Sequence, residues 1–132
     1  MTTAITAELH NHDMMIVQAT LLANASGDAT IQTANEYKGF IVKIKVDPTT
    51  GSTAPTANWD LYVTDDYLTG TDGEIPDVLG LVGKDRHTTL IQSLEQDDLH
   101  NGAACHGKLT IVGDVMGNAG DATVTLYILR VV

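Results

Sequence analysis

Three groups of residues in this 132-residue chain are of a type that could do chemistry. His10, His12 and Asp13 stand together near the start. On a strand, residues two apart share a face, so the two imidazoles could jointly hold a transition metal, given a third ligand. Asp65, Asp66, Asp72, Glu74 and Asp77 form an acidic run whose carboxylates are the hard oxygen ligands calcium prefers. Their spacing does not match the D-x-[DN]-x-[DN]-G-x5-E calcium loop. Cys105 and His106 are neighbours, and neighbours on a strand point to opposite faces, so they do not form a nucleophile–base pair. Each group has a plainer reading: polar histidines in an arm, a Gly/Asp-rich turn, and a partly buried free thiol. Ser26, Ser52 and Ser93 lie in no G-x-S-x-G context, and no phosphate-binding glycine motif is present. The expectation is a protein that is not an enzyme, with no catalytic residues and no cofactor. His10, His12, Asp66, Asp72 and Glu74 stand as the cation candidates against that expectation.

Bulk properties narrow the field further. The formal net charge is −10, and ten of the seventeen acids fall between Asp60 and Asp98. That balance argues against nucleic acid and anionic membranes as partners, since both are bound through Lys/Arg patches. Hydrophobic residues make up 43% and aromatics only 5%, so the core must come mainly from Val, Ile, Leu and Ala. One cysteine permits no intrachain disulfide, which suits assembly in a reducing cytoplasm. The first residues lack a basic start and a long apolar stretch, so no signal peptide is expected.

The elements that would carry these residues read as strands. Ala57 to Asp65 holds the only tryptophan and alternates cleanly, Trp59, Leu61 and Val63 against Asp60, Tyr62 and Thr64. Trp59 is therefore expected in the core. Residues 1–13 read as an arm or short edge strand, followed by one domain over 14–132. Met14 to Leu22 is a first apolar strand and Ala29 to Ala34 a shorter one. Tyr37 to Val46 is a long strand with Phe40, Val42, Ile44 and Val46 on one face and Gly39, Ile41, Lys43 and Lys45 on the other. Two lysines there suit a solvated or protected-edge surface. Pro48 and Pro55 turn the chain. Asp77 to Gly83 reads as a short or bulged strand, Thr88 to Leu94 as another, 95–107 as a polar loop, and Lys108 to Val112 and Ala122 to Val132 as the last two. Seven or eight strands separated by turns predict an all-β, antiparallel β-sandwich. About eight strands would make it a jelly roll, and a seven-stranded sandwich fits nearly as well.

The C-terminal strand is apolar on both faces. It must be buried in its own sheet or against a neighbour. Met14, Met15, Leu129, Val131 and Val132 are accordingly interface candidates, with core burial as the alternative. Tyr62 and Tyr67 join them beside the acidic loop.

The stretches Tyr37-Lys-Gly-Phe-Ile-Val-Lys-Ile-Lys-Val, Ser52 through Asp66, Pro76-Asp-Val-Leu-Gly, Lys108-Leu-Thr-Ile-Val-Gly and Asn118 through Arg130 together resemble small β-sandwich virion proteins of tailed bacteriophages, of the kind that decorate or cement capsids. The resemblance spans roughly 35 to 130 and rests on strands and turns. The acidic stretch 66–75 and the polar stretch 95–107 depart from it. It implies a structural virion protein, assembled in the host cytoplasm, that binds the major capsid protein or other virion subunits and forms a homo-oligomer, a trimer or dimer. A head–tail or tail component, or a carbohydrate- or cell-surface-binding module using Trp59, Tyr62 and Tyr67, are the alternatives.

Overall fold

Alternation of apolar and polar residues at period two, broken by Gly, Asn and Pro, makes nearly every regular element a strand. The computed structural model describes residues 2–66, 81–84, 89–93 and 103–131. Ten strands appear among them: β1 Ala4–Leu9, β2 Met14–Leu22, β3 Ala29–Glu36, β4 Gly39–Pro48, β5 Trp59–Asp65, β6 Leu81–Lys84, β7 Leu90–Ser93, β8 Ala103–Cys105, β9 Lys108–Asp114 and β10 Asp121–Arg130. A 3-10 turn, Gly51–Thr53, lies between β4 and β5.

They form two antiparallel sheets. One runs β1-β2-β10-β4-β7 with β8 also on β4, and the other β3-β9-β5-β6. β7 pairs with residues 43–46 of β4 and β8 with residues 39–41. The two short strands therefore share one edge position, and ten segments fill nine positions, more than the seven or eight expected. Sequence reading placed 95–107 in a loop. The structure instead puts Ala103–Cys105 in the sheet, because the first half of β4 offers them an open edge.

The pairing is that of a long hairpin folded over: β2 with β10, β3 with β9, β4 with β7 and β8, β5 with β6. Rolling that hairpin brings β10 against β4 and β9 against β5. This is jelly-roll topology, with β1 added beside β2.

The core lies between the sheets. Val17, Ala19 and Leu21 of β2, Val124, Leu126 and Ile128 of β10, and Ile44 and Val46 of β4 face Trp59, Leu61 and Val63 of β5 and Leu109 and Ile111 of β9. Trp59, Leu61 and Val63 are fully buried, as alternation predicted. Thr33 is a buried polar residue beside this layer. The β3–β9 ladder shifts register between Gln32 and Glu36, and the Thr33 hydroxyl accepts the Leu109 N–H at 3.0 Å while donating to Asn35 O at 2.8 Å. A side chain thus replaces the partner that the irregular ladder does not supply.

Strand β4 departs from simple alternation. Tyr127 pairs with Lys43 but Ile128 pairs with Ile41, so Val42 is an extra residue in a β-bulge. The bulge exchanges the faces of the two halves. Gly39 and Ile41 point inward before it, and Ile44, Val46 and Pro48 after it. The expected common face of Phe40, Val42, Ile44 and Val46 is therefore wrong in its first half, and Phe40 points outward, half-exposed. Nor is β4 an edge, since it lies between β10 and β7/β8. Its lysines decorate a face and protect no edge.

Glu8 closes one side of the sandwich. Its carboxylate accepts the Ala34 and Asn35 N–H groups at 3.3 and 3.2 Å and the buried Tyr37 hydroxyl at 3.0 Å, tying β1 to the end of β3. Burial first, then the Glu8 hydrogen bond and charge, push the Tyr37 phenol well above its ordinary range.

Candidate functional site

Of the two candidate cation groups, the histidines and the first two carboxylates of the acidic run lie among the described residues. His10 and His12 lie in the bend between β1 and β2, where Asn11 has φ 62°, and so share no strand face. Left-handed backbone at Asn11 lets the hairpin reverse there, and Asn tolerates it better than most residues. Asp65, expected in the cation loop, is wholly buried and accepts the His106 N–H at 2.5 Å. Asp66 accepts the Lys108 N–H at 2.9 Å. Both carboxylates thus stitch the end of β5 to the β8–β9 corner. Asp72, Glu74, Tyr67 and Val132 lie outside the described residues. Among the described residues no three His, Cys, Asp or Glu side chains gather to hold a metal.

Cys105 is buried and His106 exposed, on opposite sides of the chain as expected. Burial, with the Asp65 charge added, pushes the Cys105 thiol up to about 12. A thiol that resists ionisation is a poor nucleophile.

The apolar residues do gather. The inward members of β2 and β10 fill the core, and their outward neighbours are apolar too at one end of the sheet. Leu129 pairs with Met14 on one side and with Phe40 on the other, and Phe40 pairs in turn with Ala104. One register step along, Tyr127 stands between Ile16 and Lys43, and Ile16 pairs with Leu9. Cross-strand partners on one face have Cβ atoms about 5 Å apart, so these residues touch in two rows. Leu9 is 42% exposed, Met14 40% and Leu129 43%. Val131 continues the strip past the end of β10 at 53%, beside a shallow depression lined by Lys38, Phe40, Ala104 and His106.

Of the interface candidates, then, Met14, Leu129 and Val131 lie on this face, while Met15 is a core residue at 3% exposure. Adjacent strand residues cannot both point outward. Tyr62 sits on the outward side of the other sheet, half-buried, its hydroxyl 3.5 Å from Asp60. Leu9, Ile16 and Phe40 were missed. For Phe40 the cause is the bulge at Val42.

Further along the same face the residues turn polar. Gln18 donates to the Thr125 hydroxyl at 3.4 Å, and Thr89 to the Asp47 carboxylate at 3.0 Å. Lys43 lies over the Tyr127 ring, 5.4 Å from its centre, and Lys45 follows two residues on. Ile91, 60% exposed, pairs with Lys45. The face is therefore apolar at one end, with two cations at its middle.

No protein-family model matches the chain, and no curated protein matches it either. No helix among the described residues is long and apolar enough to cross a membrane. Of the three aromatics that a sugar-binding reading would use, Trp59 is fully enclosed between the sheets, Tyr62 is half-buried and Tyr67 lies outside the described residues.

Proposed function

We propose that this protein is a structural virion component, a decoration or cement protein that binds the major capsid protein and stabilises a phage head shell. The observation that carries this reading is the apolar outward face formed by Leu9, Met14, Ile16, Phe40, Tyr127 and Leu129. Residues of this size gain about 1.5–3 kcal/mol each when fully buried. Those already half-covered gain on the order of 1 kcal/mol each when a partner closes over them. Such a face is a docking surface in kind. On a shell the same small contact recurs at every copy, and a subunit touching several neighbours binds far more tightly than one contact would allow.

The jelly roll supports the reading only as a suitable frame, because the fold serves lectins and other binding proteins as well as capsids. The strand-and-turn resemblance to phage decoration proteins supplies the choice among these. Quantitative mass spectrometry of purified particles tests it. A cement protein is present in tens to hundreds of copies per particle, in fixed ratio to the major capsid protein, and shells without it break at lower temperature. Absence from particles, or only a few copies in each, overturns the proposal.

A further inference from the structure

The sandwich has a second apolar projection, at the opposite end of β10. The turn after β9 carries Val115, 55% exposed and held at φ 57°. A β-branched side chain rarely adopts that left-handed backbone. A tight set of turns holds it there. Asp114 accepts the Val115 N–H at 2.9 Å, Met116 N donates to Gly27 O at 2.9 Å, and Thr56 N donates to Met116 O at 2.8 Å. The Thr56 hydroxyl also donates to Val115 O. Beside Val115 stand two carboxylates, Asp28 and Asp114. The hydrogen bond with Asp114, then desolvation, then the Asp114 charge hold the Asp28 carboxyl above its ordinary range.

The apolar face described above has the converse charge. Lys43 and Lys45 lie between its apolar end and Asp47, and no ion pair of either lysine is found among the described residues, although the chain carries seventeen acids. One end of the molecule is an apolar tip between carboxylates, and the face is an apolar patch beside lysines. Strand rise puts roughly 20 Å between the start of β10 and its Tyr127–Leu129 segment, so the tip cannot reach the patch of its own molecule.

Resting on the reading that this face docks protein, we propose that a second copy of the chain takes its β10–β4 half: the Asp28/Asp114/Val115 tip of one molecule seats on the Lys43/Tyr127/Leu129 part of the next, and the Leu9, Met14 and Ile16 part on β1 and β2 is left for the shell. The contact joins unlike surfaces, so it propagates into rings or filaments and does not stop at a two-fold dimer. Apolar contact supplies the attraction, and the lysine–carboxylate pairs set the register and make it sensitive to salt.

Sedimentation velocity on the full chain tests this with two variants, one per surface. Lys43→Glu/Leu129→Glu spoils the face and leaves the tip intact, and Asp28→Lys/Val115→Lys does the reverse. The wild type should grow in mass with concentration and shrink as salt rises, while each variant alone stays monomeric. An equimolar mixture of the variants should form a one-to-one heterodimer and nothing larger, since one good interface remains. A heterodimer also requires both variants to be folded. The single Lys45→Glu change, solvent-facing, should weaken wild-type association at least several-fold without altering the fold. A wild type that stays monomeric at every concentration overturns the proposal. So does a tip variant that associates like the wild type, which would indicate patch-to-patch pairing, or a mixture of folded variants that stays monomeric. Shell binding by a monomeric wild type would leave the virion reading standing while removing this one.

Discussion

Where the four-stranded sheet turns outward it shows Thr30, Gln32, Thr110, Asp60 and Tyr62 around one half-buried valine, Val112, and Gln32 donates to the Thr110 hydroxyl at 3.3 Å. Where the larger sheet turns outward, at the end nearest Leu129, it shows leucine, methionine, isoleucine and phenylalanine. Both sheets close over the same core by the same alternation. The smaller sheet demonstrates that the fold is satisfied by polar outward residues. The apolar outward residues of the larger one are more than this fold requires, and that surplus is what the docking proposal rests on.

That contrast makes an inward change costly and an outward one cheap. Trp59→Ala should lose about 3–5 kcal/mol and Leu126→Ala about 2–5 kcal/mol in urea unfolding. Leu129→Ala, beside Leu126 on the same strand but half-exposed, should lose under about 1 kcal/mol. A Leu129→Ala loss as large as that of Leu126 would mean that the outward face is core, and the comparison would collapse. Next in size is Gly39→Ala. A Cβ there would run into the Leu129 carbonyl oxygen, so the strands carrying the apolar rows must spread, at about 1–3 kcal/mol by the same measurement.

A pH series sharpens the comparison from the inside. Cys105 ionises near 9.0 when unfolded and near 12 in the fold, and Tyr37 is raised from 10.0. Between those limits the unfolded chain holds fewer protons than the folded one, so stability falls as pH rises. From about pH 9 the urea midpoint should decline towards pH 12. Tyr37→Phe with Cys105→Ala should flatten that decline, whereas changes on the outward face should leave it alone. The smallest effect belongs to Lys43→Ala, which removes the cation from the Tyr127 ring. About 0.5 kcal/mol in thermal unfolding is expected.

Much of this was legible in the residues. Trp59-Asp-Leu-Tyr-Val alternates without ambiguity, and Val124, Leu126 and Ile128 do the same, so their inward direction follows from period two alone. The two-faced apolar character of the last strand also pointed to Leu129 and Val131. Phe40-Ile-Val-Lys-Ile-Lys-Val did not yield its geometry, because apolar residues stand at 40, 41, 42, 44 and 46 and fit either phase. A bulge is decided by the partner strand, and no residue type announces it. Strand β8 is hidden for a related reason: Ala-Ala-Cys has no alternation to read, and only the open edge of β4 makes it a strand. The tip at Val115 was invisible, since left-handed backbone is expected of Gly or Asn and not of valine.

The position of β10 has a kinetic side. It is the central strand of its sheet, held between β2 and β4, yet it comes last of the ten along the chain. The Gln18–Thr125 bond joins residues 107 apart in sequence. Until residues 121–130 are available, β2 and β4 each present a bare edge, and neither can complete the sheet. Such long-range closure places the domain among slow folders, on the order of milliseconds to seconds. On a ribosome the nascent chain would wait, with its edges open, for its last strand.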